Sequence, residues 1–552
     1  MTLKISPVFF VVVLLLAFTS CKKELKQRVA SKDELYAYLD SLEKRYETAC
    51  SQVQISDWSR YSKDGSSDAV AARGRLAEIF RDTTALNIIE EWRSRSSSLA
   101  DKMLARRLEL WHRCFLGGAI YADQEIELLR NSLKQKYFNL KFTIDSKQYA
   151  PQSLIPALQG EKKRTRRRIL WTTASQYTAS VTNDYLNLVK AYNMKAQALG
   201  FPNYYSLQLY LEAIDEMWLY RTMTSLETFT RPDYEKLTAS TRKKLRLKDF
   251  SPWDLDFVQR NTVSLPAKYF PADSALTIIH RFEKGIGFNV DSLPITTTSM
   301  NSGQRGMCFS VNIPKDLRVI IPQGKGAGFY RVGLDGYGHG LMAVHTKVDY
   351  PILKGYATIP GTSTTAYDYG AAQMHGDYCG DSLWISRFTK VKEKDLRRYL
   401  LKRNNTALFR MRSMLADFFT EYEIYKNPNQ NLDSLAQAIS NKYLFFTDDR
   451  KTTFTFSPSI QYIENTCGFH SAILREMISA QLHEALASKF GNEKISNPDV
   501  SKWMIEYLYM PAESIEWYER IRNATGKYLE PGAYLRKLNV EQATFITKET
   551  KQ

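Results

Sequence analysis

The chain has 552 residues and a formal net charge of +17, from 76 Lys and Arg against 59 Asp and Glu. Its 44 % apolar and 24 % charged residues are the proportions of a globular protein, and 12 % aromatics exclude a disordered or fibrous one. With only 26 Gly and 18 Pro, collagen-like and low-complexity classes fall away too. The length suits one large bilobed unit or about two to four domains.

The start of the chain carries an address. Lys4 supplies a positive n-region, and residues 11–16 (VVVLLL) lie in a short apolar stretch that opens near Pro7. That stretch is too short for an ordinary membrane span and suits a signal h-region. It closes on Phe18-Thr19-Ser20-Cys21, which resembles a bacterial lipoprotein signal apart from Phe18, where an aliphatic residue is usual. The resemblance implies a signal peptide over 1–20, a lipid-bearing (palmitate) Cys21 as the first mature residue, and a tether over 21–30. It places the protein on the bacterial cell envelope, on a periplasmic or outer-membrane face. No later segment is apolar enough to span a bilayer, so the body is expected to be held at a membrane by its first mature residue. The other five cysteines, Cys50, Cys114, Cys308, Cys379 and Cys467, are widely spaced and form no C-x-x-C pair. No disulfide framework or structural zinc site is legible in them.

Ser31-Lys32-Asp33-Glu34 predicts a capping box, and Leu35, Leu39, Leu42 and Tyr46 fall on one helical stripe behind it. The same period runs through roughly 69–135, 163–199 and 204–240, so an N-terminal helical lobe is expected over 31–245. The densest basic run, 162–168 (KKRTRRR), predicts a solvated helix start, since no nucleic-acid motif accompanies it. Residues 246–325 carry Pro and Gly punctuation and two alternating runs, 308–313 (CFSVNI) and 317–321 (LRVII), separated by Pro314-Lys315-Asp316. These predict a small hairpin or sheet edge. Helical period returns over 391–426, 432–443, 468–489, 498–509 and 514–524. The fold class is therefore mostly α with a minor sheet.

A zinc peptidase needs two His four apart on one helix face with a Glu beside the first, and the pattern H-E-x-x-H is absent from the chain. His483-Glu484 begins one, but position 487 is Ala. The segment RVGLDGYGHGLMAVHTKVDYPILKG at 331–355, followed by YDYGAAQMHGDYCGD at 367–381, nevertheless resembles the angiotensin-converting-enzyme and oligopeptidase group of zinc peptidases, the gluzincins. GFPNYYSLQLYLEAID at 200–215, AILREMISAQLHEAL at 472–486 and EWYERIRNATGKYLEPGAYLRKL at 516–538 agree with that group in order and spacing. The resemblance implies a two-lobed helical fold with a small β-sheet at the central cleft, and a peptidase-like lobe over 246–552 joined to the first lobe as one bilobed unit.

The resemblance also assigns the site. The second zinc His matches His339, the first falls on Asp335, and the general-base Glu falls on Gly336. The downstream zinc Glu falls on Gln373, four before Asp377, with Tyr369 as the alternative. In the oxyanion region, Cys467-Gly468-Phe469-His470 keeps His470 while a Tyr hydroxyl is lost. Asp335 and His339 could still share an ion at i, i+4, but a neutral Gln373 is a weak third ligand. Gly336 offers no acceptor for the proton of an attacking water. Three glycines in five residues, Gly336, Gly338 and Gly340, further weaken the helix by about 1 kcal/mol each.

No replacement nucleophile is legible. His375 and Cys379 stand at i, i+4, and Cys467 lies three before His470, patterns expected of buried thiols and surface histidines. Ser310 and Ser363 sit in no G-x-S-x-G elbow. His112 and His280 are expected to be packed, and His345 is too far round the helix to join His339. The expected function is therefore a membrane-anchored, metallopeptidase-like lipoprotein that holds a peptide or protein partner without hydrolysing it, with 309–313 or 317–321 as the edge strand that pairs with the peptide. No cofactor is expected, and zinc is the metal if one binds. Nucleic acid is not an expected partner. The alternatives are an active metallopeptidase using Asp335, His339 and Gln373, and a structural or assembly lipoprotein.

Overall fold

The structure, a computed structural model, describes residues 29–61, 68–96, 100–260, 264–300, 307–357, 361, 363–446 and 455–540. The expected signal segment over 1–20 and Cys21 lie outside the described residues. Among the described residues no helix is long and apolar enough to cross a membrane.

The first helix, α1 (Lys32–Ser59), begins as its sequence predicts: Glu34 N–H donates to Ser31 Oγ at 3.2 Å, and the Glu34 carboxylate accepts from Ser31 N–H. Leu35, Leu39, Leu42 and Tyr46 are all buried. The long periodic stretch at 69–135 is broken by Asp82, Asp101 and Asp123, each of which accepts backbone N–H groups as an N-cap. Their helices include α2 (Lys102–Tyr121). A short hairpin follows, β1 (Phe142–Ile144) against β2 (Lys147–Tyr149), with Asp145 and Ser146 both at positive φ in its turn. Period-based reading misses it because the turn lacks the usual Gly.

The basic run starts α3 (Arg164–Ala179), and three of its arginines are paired with carboxylates. Arg164 pairs with Asp249 and Asp254, Arg166 with Asp145 and Glu161, and Arg167 with the buried Asp254 at 2.7 Å. Its arginines thus act mainly as ties between segments rather than as a solvated helix start.

After α4 (Ala275–Gly285) comes the sheet, in the order β3–β5–β4. β4 (Met307–Asn312) and β5 (Asp316–Pro322) are the predicted antiparallel pair. β3 (Ile295–Met300), which the sequence reading does not anticipate, pairs parallel to β5. β5 is therefore central, and of the two candidate edges only the one at 309–313 lies on an outer strand. Two apolar clusters build most of the interior. One joins residues 35–115 to Ile313, Leu317 and 343–356; the other runs from Leu116 to Val540.

The chain leaves the sheet into α5 (Ala327–Val344), then enters α6 (Thr365–Asp377), α7 (Glu393–Lys426) and α8 (Phe469–Phe490). The glycines of α5 serve packing. A Cβ at Gly336 would lie 3.1 Å from Val319 of β5, one at Gly340 3.3 Å from Ile295 of β3, and one at Gly338 2.6 Å from the Ala372 carbonyl. Their helix cost is offset by close approach to the sheet on one side and to α6 on the other. The fold is mostly helical with a small sheet.

Candidate functional site

α5 and α6 run past each other in a register that three contacts define. The Asp335 carboxylate lies over Gly376, where a Cβ would come within 1.8 Å of its Oδ1. Gly338 meets Ala372, and the His339 ring stands edge-on to Tyr369 with 4.9 Å between centroids. Across the helix pair, Tyr369 is thus the residue facing His339, and Gln373 sits a turn deeper. Gln373 is buried, and its Nε2 has no hydrogen-bond partner; the same holds for Asp335 Oδ1.

The His339 end opens into a cleft of about 370 Å³. Its walls include the outer strand β4 from Met307 to Ser310, His339, Tyr369, Asp368, Glu513 and Arg520. Burial, aided by His375, pulls His339 down to about 4, so the ring is neutral at pH 7. Burial and then the neighbouring Glu513 push Asp368 up to about 7, while the Ser363 hydroxyl donates to it at 2.6 Å. Arg520 is 2 % exposed, pairs with Glu513 at 2.7 Å and stacks 4.0 Å above the Tyr367 ring. α1 supports the strand from behind, with Trp58 edge-on to Phe309.

The Asp335 end is closed. Arg331 pairs with Asp377 at 2.8 Å, and Lys537 bridges Asp377 at 2.6 Å and Glu476 at 3.2 Å. The Ser479 hydroxyl also donates to Asp377. Burial opposes ionisation of Asp377, but Lys537 and Arg331 outweigh it and hold the carboxyl well below its usual range. Asp335 lacks such partners, and burial followed by the nearby Asp377 pushes it up to about 7.

His470 is not in the cleft wall. It is fully buried, with Nδ1 at 3.0 Å from the Tyr205 hydroxyl and Nε2 at 3.2 Å from Glu212. His375, expected at the surface, is also fully buried: Nδ1 lies 2.9 Å from Glu283 and Nε2 2.8 Å from the Tyr509 hydroxyl. Tyr509 closes a π-helical turn over Ile505–Tyr509. His280 is half-buried and bridges Asp291 at 2.8 Å and the Tyr337 hydroxyl at 2.6 Å. His112 packs edge-on to Tyr210 as expected. Cys379 and Cys467 are buried free thiols, and burial raises both well above the ordinary value.

Zinc needs three firm donors around one point. Among the described residues no three His, Cys, Asp or Glu side chains gather in that way. Asp335 points at Gly376 and His339 toward Tyr369, so the two lie on opposite ends of the helix contact. At position 336 a side chain would meet Val319 before anything polar. These donors do not fit a three-ligand zinc site.

The sequence reading overlooked Asp368, Glu513 and Arg520. Asp368 stands one residue before Tyr369, and a carboxylate there was the available signal. The α5–α6 register, which sets Tyr369 opposite His339, is a tertiary fact that helical period does not contain.

No family model and no curated protein matches the chain. Among solved structures, it is similar to the M32 carboxypeptidase from Deinococcus radiodurans R1, with a TM-score of 0.63 at 12 % identity over 91 % of this chain and 98 % of that one. Metallocarboxypeptidase 1 of Trypanosoma cruzi gives 0.62 at 13 % over 91 % and 98 %. BsuCP gives 0.54 at 13 % over 92 % and 99 %. At this identity the likeness is one of fold, and it spans nearly the whole of each chain: the protein has a metallocarboxypeptidase-like fold.

Proposed function

We propose that the chain is a lipid-anchored pseudopeptidase that holds peptides in the cleft between β4 and the α5–α6 pair without hydrolysing them. One observation carries this reading. The cleft keeps an outer strand and an aromatic wall beside His339, while the position expected to bear the general base is Gly336, packed on Val319. An extended peptide can pair with β4 through backbone hydrogen bonds and set a side chain against Tyr369. Among the described residues no three-donor metal site gathers, the position matched to the general base is Gly336, and loss of a base there forfeits about two to four orders of magnitude in rate. The names of the structural neighbours make a peptide's C-terminal end the occupant to try first. Acylation at Cys21 belongs to the same reading, and intact-mass measurement of the membrane-extracted protein should show it.

The test compares the unmodified protein with the variant Asp335→His, Gly336→Glu, Gln373→Glu. The unmodified protein should bind short peptides, and it should leave them intact whether or not zinc is added. Zinc-dependent cleavage by the unmodified protein would establish the alternative metallopeptidase built on Asp335, His339 and Gln373. Failure to bind any member of a peptide library would leave the scaffold reading in its place. Cleavage confined to the triple variant would support the proposal strongly.

A further inference from the structure

Part of the net charge of +17 lies away from the basic run at 162–168. Three arginines of that run are tied to carboxylates. A second segment, 387–403, holds eight Lys and Arg against Glu393 and Asp395, a balance of eight minus two, or +6. Here the only ion pair among the described residues is Arg397–Glu393, which is largely solvent-exposed and therefore weak. Asp395 is engaged by the Tyr269 hydroxyl. Lys394, Arg398 and Lys402 have no carboxylate partner and recur at i, i+4, i+8 along one stripe of α7.

The backbone presents this stripe outward. α7 has no fully buried residue before Leu408, so its first four turns rest on the body through partly buried side chains such as Leu396 and Tyr399. Between Arg398 and Lys402 stands Leu401, 75 % exposed. Lys394, Arg397, Arg398, Leu401 and Lys402, with the Glu393 that pairs with Arg397, line one shallow surface depression.

We propose that this face of α7 is a docking surface for an anionic phospholipid bilayer. Lys and Arg stems lie along the helix and carry their charges to the headgroup layer, while a protruding Leu enters the acyl boundary. Juxtaposed cations on a helix are drawn to anionic lipid and act within about a Debye length of its surface. Lys394 and Lys402 bound the patch at its two ends, and Lys is depleted in the cores of protein–protein interfaces, which disfavours a protein occupant. No aromatic side chain on the stripe offers a base-stacking platform, which argues against single-stranded nucleic acid. The inference does not depend on the cleft's function or on acylation of Cys21.

The experiment uses the full chain with Cys21→Ser, so that no acyl group contributes, and vesicles of phosphatidylcholine with or without about 30 mol % phosphatidylglycerol. Co-sedimentation should favour the anionic vesicles by roughly tenfold at about 50 mM salt, and the preference should shrink at about 300 mM. Lys394→Glu, Arg398→Glu and Lys402→Glu together should remove most of that preference, with an unchanged melting temperature. Lys162→Glu with Lys163→Glu should change it less than about twofold. A polarity-sensitive dye on Leu401→Cys should shift to the blue only with anionic vesicles. The proposal is overturned if the triple variant keeps the preference, if both variants lose it equally, or if the dye stays in water. It is equally overturned if the three residues bind a soluble polyanion while showing no vesicle preference.

Discussion

The two ends of the α5–α6 contact differ in almost every physical respect. At one end Asp335 is folded over Gly376 and covered by the Arg331–Asp377–Lys537–Glu476 ion network. At the other, His339 stands against a half-exposed Tyr369 and opens into the cleft beside β4. In a two-histidine metal helix both positions must face one point. Here, one position has been absorbed into the packing and the other remains with the cleft. Two positions one helical turn apart thus have different surroundings, one in the packing and one in the cleft wall.

Breaking both ends at once should have the largest effect. Gly338→Ala places a methyl 2.6 Å from a backbone carbonyl that cannot swing away, so it should cost about 3 kcal/mol in denaturant unfolding. Breaking the closed end alone comes next. Asp377→Ala strands Arg331 and Lys537, but these cations are 35 % and 37 % exposed, so the loss should be about 2 kcal/mol, below that of a fully buried pair. At the open end, Tyr369→Ala should leave the melting temperature unchanged while weakening peptide binding by roughly tenfold in fluorescence anisotropy. Equal destabilisation by Tyr369→Ala would erase the distinction between the ends. Asp381→Ala removes the cap from the helix that follows α6 and should cost about 1 kcal/mol in the same unfolding measurement.

The pH dependence sharpens the contrast further. Asp335 and Asp368 sit near 7, above their unfolded values of about 4, so the folded state holds more protons between those limits and stability falls as pH rises through them. Asp377 is held low and works oppositely, giving stability that is lost as pH drops below about 4. Asp335→Asn should therefore raise the melting temperature more at pH 8 than at pH 5. A larger gain at pH 5 would contradict the burial of its carboxylate.

Much of the fold was legible in the chain. The capping box at Ser31, the apolar stripe behind it and the β4–β5 pair follow from local pattern, and the structure reproduces them. β3 was not legible, because ITTTSM pairs in parallel with a strand some twenty residues later and has no hairpin turn to announce it. The π-helical turn at Ile505–Tyr509 was hidden in an ordinary helical period. At the site, the family resemblance pointed to His339 and offered Tyr369 as an alternative, yet their meeting was not legible. The glycines of α5 looked like a defect in a helix and turn out to be where the sheet and α6 approach it. Asp368, Glu513 and Arg520 come from segments more than a hundred residues apart, and no local pattern joins them.

The most direct measurement is equilibrium binding of a short peptide library to the unmodified protein, with equimolar zinc and with chelator, while mass spectrometry follows each peptide. The account predicts the same affinity in both conditions and intact peptides throughout. Tighter binding with zinc together with a shortened peptide would contradict it.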